Sequence, residues 1–462
     1  MRIESKQNKN SNEELASGNL NKLIFSMAIP TIVAQLINIL YNIVDRIYIG
    51  HIHGVGASAL TGVGIALPVI TLISAFSAFV GMGGAPLSSI WYGKGDKEHA
   101  EKILGNGTLM LFLFSIFLML VFYIWQKPLL YAFGASADTI GYASLYLSWY
   151  LLGTFSVELA LGLNTYIIAQ GDSKTAMLSV LIGAVLNIVL DPLFIFTFGM
   201  GVKGAAIATI LSQTVSAVWV VRFLTGKKAV LRIRMKHLKL DMKIIKNICA
   251  LGISPFVMRA TESLISIVMN RGLQKYGGDI YVGSLTIMQS VMQLMSAPLA
   301  GFTQGVQPII SYNFGAGNFE RVRQTYRKMI GICGSFSCMT TLLVMIFPSI
   351  FAKMFTGDVD VIRLVSEKMP LFMCGMLLFG VQMAIQPTFL ALGQARISLF
   401  IAMLRKVILL VPLAIILPVF MGVNGVYVAE PISDFLSAGT AMVLFYWNIN
   451  KILSKESLEK IQ

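Results

Sequence analysis

Long apolar runs alternate with short polar segments from one end of this chain to the other. Most runs hold about 20 residues or more, enough for an α-helix to cross a bilayer core of about 30 Å. The pattern predicts twelve transmembrane helices: helices 1 to 6 at 22–49, 56–91, 103–125, 137–169, 174–198 and 203–225, and helices 7 to 12 at 247–271, 280–313, 322–352, 359–392, 395–420 and 425–448. We therefore expect an all-α polytopic membrane protein.

The two halves of the chain repeat the same motifs at a nearly constant spacing. Near-constant offsets over separated motifs indicate an internal duplication. Each copy has six predicted helices, so both copies have the same orientation in the membrane, as in parallel-repeat transporters. The repeated motifs are Pro86 to Gly93 with Pro308 to Gly315 at an offset of 222, Gly201-Val202-Lys203-Gly204 with Gly422-Val423-Asn424-Gly425 at 221, and Pro192 with Pro412 at 220.

The duplication predicts two six-helix lobes related by a pseudo-two-fold axis. Two such lobes leave a cleft between them, and rocking of the lobes would expose this cleft to each membrane face in turn. The architecture itself therefore suggests transport. The predicted segments are an N-terminal tail at 1–21, an N-terminal lobe at 22–225, a basic linker at 226–246, a C-terminal lobe at 247–448 and a C-terminal tail at 449–462.

Composition and charge support a membrane location and indicate an orientation. Hydrophobic residues make up 56% of the chain and charged residues 13%, with a mean hydropathy of +0.75. Of the 36 Lys and Arg, 24 lie in loops on the side of the N-terminus, 7 lie in the opposite loops and 5 lie in the predicted helices. The positive-inside rule then predicts that both termini are cytoplasmic. Because the cations are spread between apolar runs, the net charge of +14 does not indicate nucleic-acid binding.

A polar notch interrupts the fifth predicted helix, which is otherwise almost wholly apolar. Asn187 and Asp191 are four residues apart, so their side chains share one helix face, and Pro192 leaves a backbone carbonyl free nearby. A carboxylate inside the membrane is costly unless it is protonated, paired or facing a cavity. We therefore interpret Asp191 as a functional group, the alternative being an Asp tied to a neighbouring helix.

Short motifs in a fixed order cover the whole chain. In the first half they are Val44-Asp45 with Gly50, Pro86 with Gly93-Lys94-Gly95-Asp96, Ala169-Gln170-Gly171-Asp172, Asn187 to Pro192, and Gly201 to Ala206. In the second half they are Asn313-Phe314-Gly315-Ala316-Gly317, Ala391-Leu392-Gly393-Gln394 and Gly422 to Gly425. The set resembles the multidrug and toxic compound extrusion (MATE) family. This resemblance implies a twelve-helix, V-shaped exporter that expels cationic amphiphiles in exchange for inward-flowing H+ or Na+.

The resemblance also implies a coupling-ion site in the first lobe. That site would contain Asp45 of helix 1 with Asn187 and Asp191 of helix 5; by position, its other polar members would be Tyr146, Asn164 and Thr209. At about 1.5 Å per residue, the depths of Asp45 and Asp191 differ by roughly 5 Å, so they could share one pocket. Two carboxylates in one pocket require a shared proton or a cation between them.

The residue after Asp45 departs from the family pattern. Arg46 stands where many members have a small polar residue, so the coupling ion stays open between H+ and Na+. Oxygen ligands from Asp, Asn, Thr and Tyr suit a hard cation as well as a proton. We expect no cofactor other than this coupling ion.

Charged side chains also occur elsewhere in the predicted helices. Arg259 and Glu262 share a face of helix 7, so a structural ion pair and a role in cation or drug binding are both open. Glu158 in helix 4 fits either a drug contact or a hydrogen bond between helices. In the second lobe we expect a charge network, because unpaired buried charges are costly. Its members are Arg405 and Lys406 of helix 11 and Glu430 and Asp434 of helix 12.

Methionines of helices 7 and 8 are candidates for the wall of the cleft. Methionine adapts its shape to varied ligands, which suits a site for many drugs. The candidates are Met258, Met269, Met288, Met292 and Met295.

Together these features predict an ion-coupled antiporter rather than an enzyme. We expect a monomeric, multi-pass protein of a bacterial cytoplasmic membrane that exports small organic cations in exchange for H+ or Na+. The nearest alternative is a flippase of the same superfamily for lipid-linked oligosaccharides, but the first-lobe cavity groups are acidic or neutral apart from Arg46. Gly93-Lys94-Gly95 lacks the strand and the Ser or Thr of a phosphate loop. A membrane enzyme would need a nucleophile with a base, or a metal cluster, near an interface.

Overall fold

The computed structural model describes residues 14–459, so parts of both predicted tails, 1–13 and 460–462, lie outside it. Twelve long helices in the described chain correspond one for one to predicted helices 1 to 12. They are α1 (Leu20–Gly50), α2 (Gly56–Gly93), α3 (Lys97–Ile124), α4 (Ile140–Leu152 and Thr154–Ala169), α5 (Ser173–Pro192), α6 (Gly201–Thr225), α7 (Met242–Tyr276), α8 (Asp279–Gly315), α9 (Phe319–Ile346), α10 (Val359–Met373 and Met376–Ala391), α11 (Ala395–Met403 and Val411–Met421) and α12 (Val423–Ile452).

The predicted all-α polytopic fold is confirmed. Nine helices of the described chain are long and apolar enough to cross a bilayer, and the bent pairs that form α4 and α10 bring the number to eleven. The bend is 60° in α4, at Gly153, and 47° in α10. The twelfth helix is α8, which has 37 residues and contains several Gly, Ser and Gln residues between its apolar positions.

Backbone geometry at the helix ends repeats between the halves. Asp96 caps α3 by accepting a hydrogen bond from His99 N at 2.9 Å, and Asn318, 222 positions later, caps α9. Gly201 and Gly422 have φ angles of 55° and 58°, a conformation that favours glycine. The repeat seen in the sequence is therefore also a repeat of local structure.

Helix packing in one lobe is copied in the other. In the first lobe α1 packs on α5, α2 on α3 and α4, and α6 on both α4 and α5. In the second lobe α7 packs on α11, α8 on α9 and α10, and α12 on both α10 and α11. The same neighbour relations in both lobes establish the pseudo-two-fold arrangement.

The two lobes meet through α1, α2, α7 and α8. Thr31 Oγ1 on α1 donates to Gly301 O on α8 at 2.6 Å. Gly252 of α7 packs so tightly on α2 that a Cβ atom there would lie 1.9 Å from Phe79 O. All of these contacts lie in the halves of the helices nearest the chain termini.

Away from the termini the lobes separate. One hydrophobic core near the termini contains residues of both lobes, whereas two further cores lie in the first lobe alone and the second lobe alone. Among the described hydrogen bonds and ring contacts between lobes, those furthest from the termini are Gln35 Nε2 to Gln304 Oε1 at 3.0 Å and Phe76 against Phe256 at 5.0 Å. The molecule is therefore V-shaped, with the cleft closed at the terminal end.

Candidate ion-coupling site

The polar turn of α5 forms the centre of the site. Asn187 Nδ2 donates to Asp191 Oδ1 at 3.1 Å and to Thr209 Oγ1 of α6 at 3.4 Å. Both α5 side chains are buried, with Asn187 2% and Asp191 0% exposed. Pro192 lacks an N–H group, and the helix continues after it as the π-helical turn Leu193–Thr197. This local widening comes directly after Asp191.

Asp45 and Tyr146 complete the cluster from two other helices. The packing of α1 on α5 places the Asp45 carboxyl beside that of Asp191. The Tyr146 hydroxyl from α4 lies near the Thr209 side chain. Four helices thus contribute to one cluster, in which Asp45, Tyr146, Asn187, Asp191 and Thr209 lie near one another.

Three oxygen atoms in this cluster lack a hydrogen-bond donor. Asp45 Oδ1, Asn187 Oδ1 and Asp191 Oδ2 are buried, and no donor within the described part of the chain reaches them. Each unsatisfied acceptor costs about 1–3 kcal/mol. Oxygen atoms of this kind can accept a proton or coordinate a hard cation such as Na+. The arrangement therefore suits occupancy by a small cation.

Asn164 faces a small cavity beside the cluster. Its Oδ1 accepts a hydrogen bond from Ser179 Oγ at 3.1 Å. The cavity has about 30 Å³ of free volume, room for about two waters, and Asn164, Asn187 and Thr209 all line it. Asn187 and Thr209 therefore belong both to the polar cluster and to the wall of this cavity.

Two cavity residues on α1 were not singled out from the sequence. Asn38 and Tyr41 line the cavity, and Tyr41 also lies near Asp45. Positions 38, 41 and 45 recur at the spacing of one helix face, which is the pattern that could have identified them. Asn38 and Tyr41 therefore lie on the same face of α1 as Asp45.

Glu158 lies in the core of the first lobe. It is fully buried, and neither carboxyl oxygen has a hydrogen-bond donor among residues 14–459. The hydroxyl of Ser77 on α2 is its polar neighbour and also lacks a partner. A proton on Glu158 would supply the missing donor between α2 and α4.

The charges of the second lobe form two groups. Arg405 donates to Asp434 Oδ1 through Nε at 2.6 Å and to Glu430 Oε1 at 3.2 Å, which confirms the expected link between α11 and α12. Lys406 does not join that link. Its Nζ donates to Met258 O at 3.0 Å and to Glu262 at 3.3 Å, both on α7.

The sequence left open an ion pair between Glu262 and Arg259, but the structure shows a different partner for Glu262. Glu262 pairs with Lys406 across helices, and the described ion pairs do not include one between Glu262 and Arg259. The Lys406 side chain is only 8% exposed and needs a counter-charge, whereas Glu262 is 60% exposed and can reach it. Arg259 is exposed on the same helix.

The methionine prediction is wrong for three of the five residues. Met269, Met288 and Met295 are buried in the core of the second lobe. Met292 packs against that core and is half-buried, and Met258 is also half-buried. The buried and the half-buried methionines differ in the side of the helix on which they lie, and amino-acid composition does not predict that side.

The described residues show neither a metal-binding cluster nor a disulfide bond. Between positions 14 and 459 there is no group of three His, Cys, Asp or Glu side chains placed to hold a metal ion. The four cysteines are free.

Fold and site together define a membrane transporter built from two repeated helical lobes. The sequence profile of the MatE family matches residues 30–193 and 256–416. The chain therefore belongs to the MATE family of membrane transporters, as its motifs predicted.

Curated relatives cover nearly the whole chain. The multidrug export protein MepA of Staphylococcus haemolyticus (strain JCSC1435) is 24% identical over 444 residues, which is 96% of this chain and 97% of that protein. MepA of Staphylococcus aureus (strain MSSA476) is 24% identical over 425 residues, covering 92% and 93%.

Solved structures show the same fold. An outward-facing multidrug resistance MATE transporter of the MOP superfamily superposes with a TM-score of 0.88 at 24% identity, covering 96% of this chain and 98% of that one. A MOP superfamily transporter from Pyrococcus furiosus, described as having a binding pocket of reversed polarity, gives 0.87 at 24% identity, with coverage of 96% and 98%.

Proposed function

We propose that this protein is a secondary active antiporter that exports cationic amphiphilic compounds in exchange for H+ or Na+. The observation that carries the proposal is the cluster of buried, unsatisfied oxygens of Asp45, Asn187 and Asp191. The proposal draws on the relatives as well, since the two MepA proteins are multidrug exporters.

Helix α1 supplies a physical link between the ion pocket and the lobe interface. Its outer half carries Asp45, and its inner half carries Thr31 and Gln35, which bond to α8 of the second lobe. A cation shared by Asp45 and Asp191 holds α1 against α5. Occupancy then favours whichever arrangement of the lobes binds the ion more tightly.

In the proposed cycle the cleft opens first to one side of the membrane and then to the other. The cleft is closed at the end that holds the termini, and by the positive-inside rule this end is cytoplasmic. The conformation described here would then be outward-facing. We place the protein in the cytoplasmic membrane of a bacterium, as a monomer with both termini inside.

Polarity favours export of cations over a flippase activity. The carboxyls of Asp45 and Asp191 attract positive charge, whereas a flippase for lipid-linked sugars needs a basic cavity for phosphate. Apolar side chains on the cleft walls would hold the rest of an amphiphilic substrate.

Transport in proteoliposomes tests the proposal. Ethidium efflux is measured under an imposed pH gradient, under an imposed Na+ gradient, and with neither. We expect at least one gradient to accelerate efflux, and Asp191→Asn to abolish that acceleration because it removes one of the two carboxylates.

Asp138→Asn is the matched control, because Asp138 is an exposed acid of the same lobe outside the pocket. It should transport like the wild type. The proposal fails if neither gradient changes efflux, or if Asp191→Asn retains full coupling.

A further inference from the structure

A large basic pocket lies outside the transport pathway, at the end of the first lobe that holds the termini. It has about 700 Å³ of free volume and lies between the start of α5, the end of α6 and the first residues of the linker. Its lining includes three cations, Arg222, Lys227 and Lys228, all exposed. The proposed export mechanism assigns no role to this pocket.

The linker that carries two of these cations is held in place by buried hydrogen bonds. Gln170 is 2% exposed, and its Oε1 accepts from Val230 N at 2.8 Å and Leu231 N at 3.0 Å. Arg232 bonds back to Lys227 O at 2.5 Å and to Ala229 O at 3.1 Å. These bonds hold the backbone of the linker in place, so that Lys227 and Lys228 lie at the pocket wall.

The charge of the pocket is mainly positive. Asp172 is the acid in its lining, and its carboxylate is already engaged by Thr175, with bonds of 3.0 Å to the backbone N and 2.8 Å to Oγ1. The three cations make no ion pair with an acid of the described chain. An anionic ligand with several oxygens would complement this wall.

The other wall of the pocket is apolar and continues onto the lipid-facing surface. Leu178 of α5 and Trp219 of α6 line it, and both are exposed. Val215 and Val218 extend this exposed surface along α6 towards the middle of the bilayer. Trp at a membrane interface, below a cluster of Lys and Arg, is the usual surrounding of a lipid headgroup.

We infer that this pocket binds the phosphate headgroup of an anionic phospholipid, whose acyl chains lie along Leu178 and Trp219. The phosphate chemistry alone would also suit free phosphate, but the apolar wall favours a lipid. The site belongs to the first repeat alone, because an offset of 221 places Val443, Asn448 and Ile449 at the positions of the three cations. A bound lipid would anchor the start of the linker to the membrane surface.

Quenching of Trp219 by brominated lipid tests the site. The full-length protein is placed in phosphatidylcholine nanodiscs that contain phosphatidylglycerol brominated near the headgroup end of its acyl chains. The signal of Trp219 is the difference between the wild type and Trp219→Phe. We expect brominated phosphatidylglycerol to quench Trp219 at a far lower mole fraction than brominated phosphatidylcholine does.

Neutralising the cations separates specific binding from general attraction. With Arg222→Gln, Lys227→Gln and Lys228→Gln combined, the preference for phosphatidylglycerol should weaken by roughly 100-fold, as expected for three cations at a membrane surface. The control combines Lys451→Gln and Lys455→Gln, two cations at the same end of the second lobe, and should keep the preference.

Three results would overturn the inference. They are equal quenching by both lipids in the wild type, the same loss of preference in the control variant, and displacement of phosphatidylglycerol by inorganic phosphate at the same ionic strength. The last result would indicate a site for free phosphate. All of the substituted residues are exposed, so the variants should fold.

Discussion

Glu430 occupies, in the second repeat, the position that Thr209 occupies in the first, and Arg405 binds its carboxylate at 3.2 Å. Thr209 belongs to a cluster in which Asp45 and Asp191 each have a buried oxygen without a donor, whereas Glu430 and Asp434 of the second lobe both accept hydrogen bonds from the Arg405 guanidinium. An offset of 220 also places Val411 at the position of Asp191. The first lobe thus has buried acids without a cationic partner, and the second lobe has an arginine bound between two acids.

Removing this arginine should destabilise the protein. Arg405→Met leaves Glu430 and Asp434 buried without a counter-charge, and breaking a buried pair in this way typically costs about 3–5 kcal/mol. We expect a clearly lower midpoint in thermal unfolding monitored by tryptophan fluorescence in detergent. Adding Glu430→Gln and Asp434→Asn to Arg405→Met should restore most of the loss, and an unchanged midpoint in the single variant would contradict this assignment.

Neutralising acids in the first lobe should not destabilise the protein. Asp45 and Asp191 face each other without a cationic partner between them, so Asp45→Asn or Asp191→Asn relieves repulsion and should not lower the unfolding midpoint. Coupled transport should be lost in either variant. Because one ion needs both carboxylates, the double variant should lose no more coupling than the single variants. Losses that multiply in the double variant would indicate two independent sites.

Adding a methyl group at a close contact between the lobes should open the cleft at the end that holds the chain termini. Gly252→Ala places a methyl group against Phe79 O, so α7 and α2 cannot keep their present separation. We expect the outer ends of the lobes to move together, which shortens the distance between spin labels at Asp138→Cys and Lys353→Cys in a cysteine-free background. The measurement is double electron–electron resonance.

Gly331→Ala is the control for this experiment, because a Cβ atom there meets nothing within 4 Å. It should leave the distance distribution as in the parent protein. An unchanged distribution in Gly252→Ala would show that the contact does not hold the lobes in this arrangement.

Docking of the linker on α3 should weaken at acidic pH. His237 is buried beside Glu101, and burial lowers its pKa below the ordinary value of 6.5, although Glu98 and Glu101 oppose this effect while Lys236 and Lys102 add to it. The undocked linker therefore takes up a proton more readily, and docking weakens as the pH falls below about 6.5.

The mobility of a spin label on the linker measures this effect. A nitroxide at Met235→Cys, where the native side chain is 84% exposed, should become more mobile between about pH 7.5 and pH 5.5. His237→Gln should remove that change, because glutamine does not titrate. Equal mobility at both pH values in the parent protein would disprove the proposed dependence.

The sequence by itself determined the number, order and repetition of the helices. Helix length and apolar content are local properties, so the twelve runs became α1 to α12 with shifts of a few residues at most ends. The shared face of Asn187 and Asp191 followed from spacing alone, because residues four apart lie together on any α-helix. Constant offsets between motifs were enough to indicate the duplication.

Only the tertiary structure decided which helix faces meet. Asp45 lies beside Asp191 because α1 packs against α5 with that side of the helix facing it. Glu262 pairs with Lys406 rather than Arg259 because α11 packs against α7. The orientation of each helix likewise buried Met288 on α8 and left Met258 half-buried on α7. These contacts join residues far apart in the chain, so they depend on how whole helices pack and not on any local pattern.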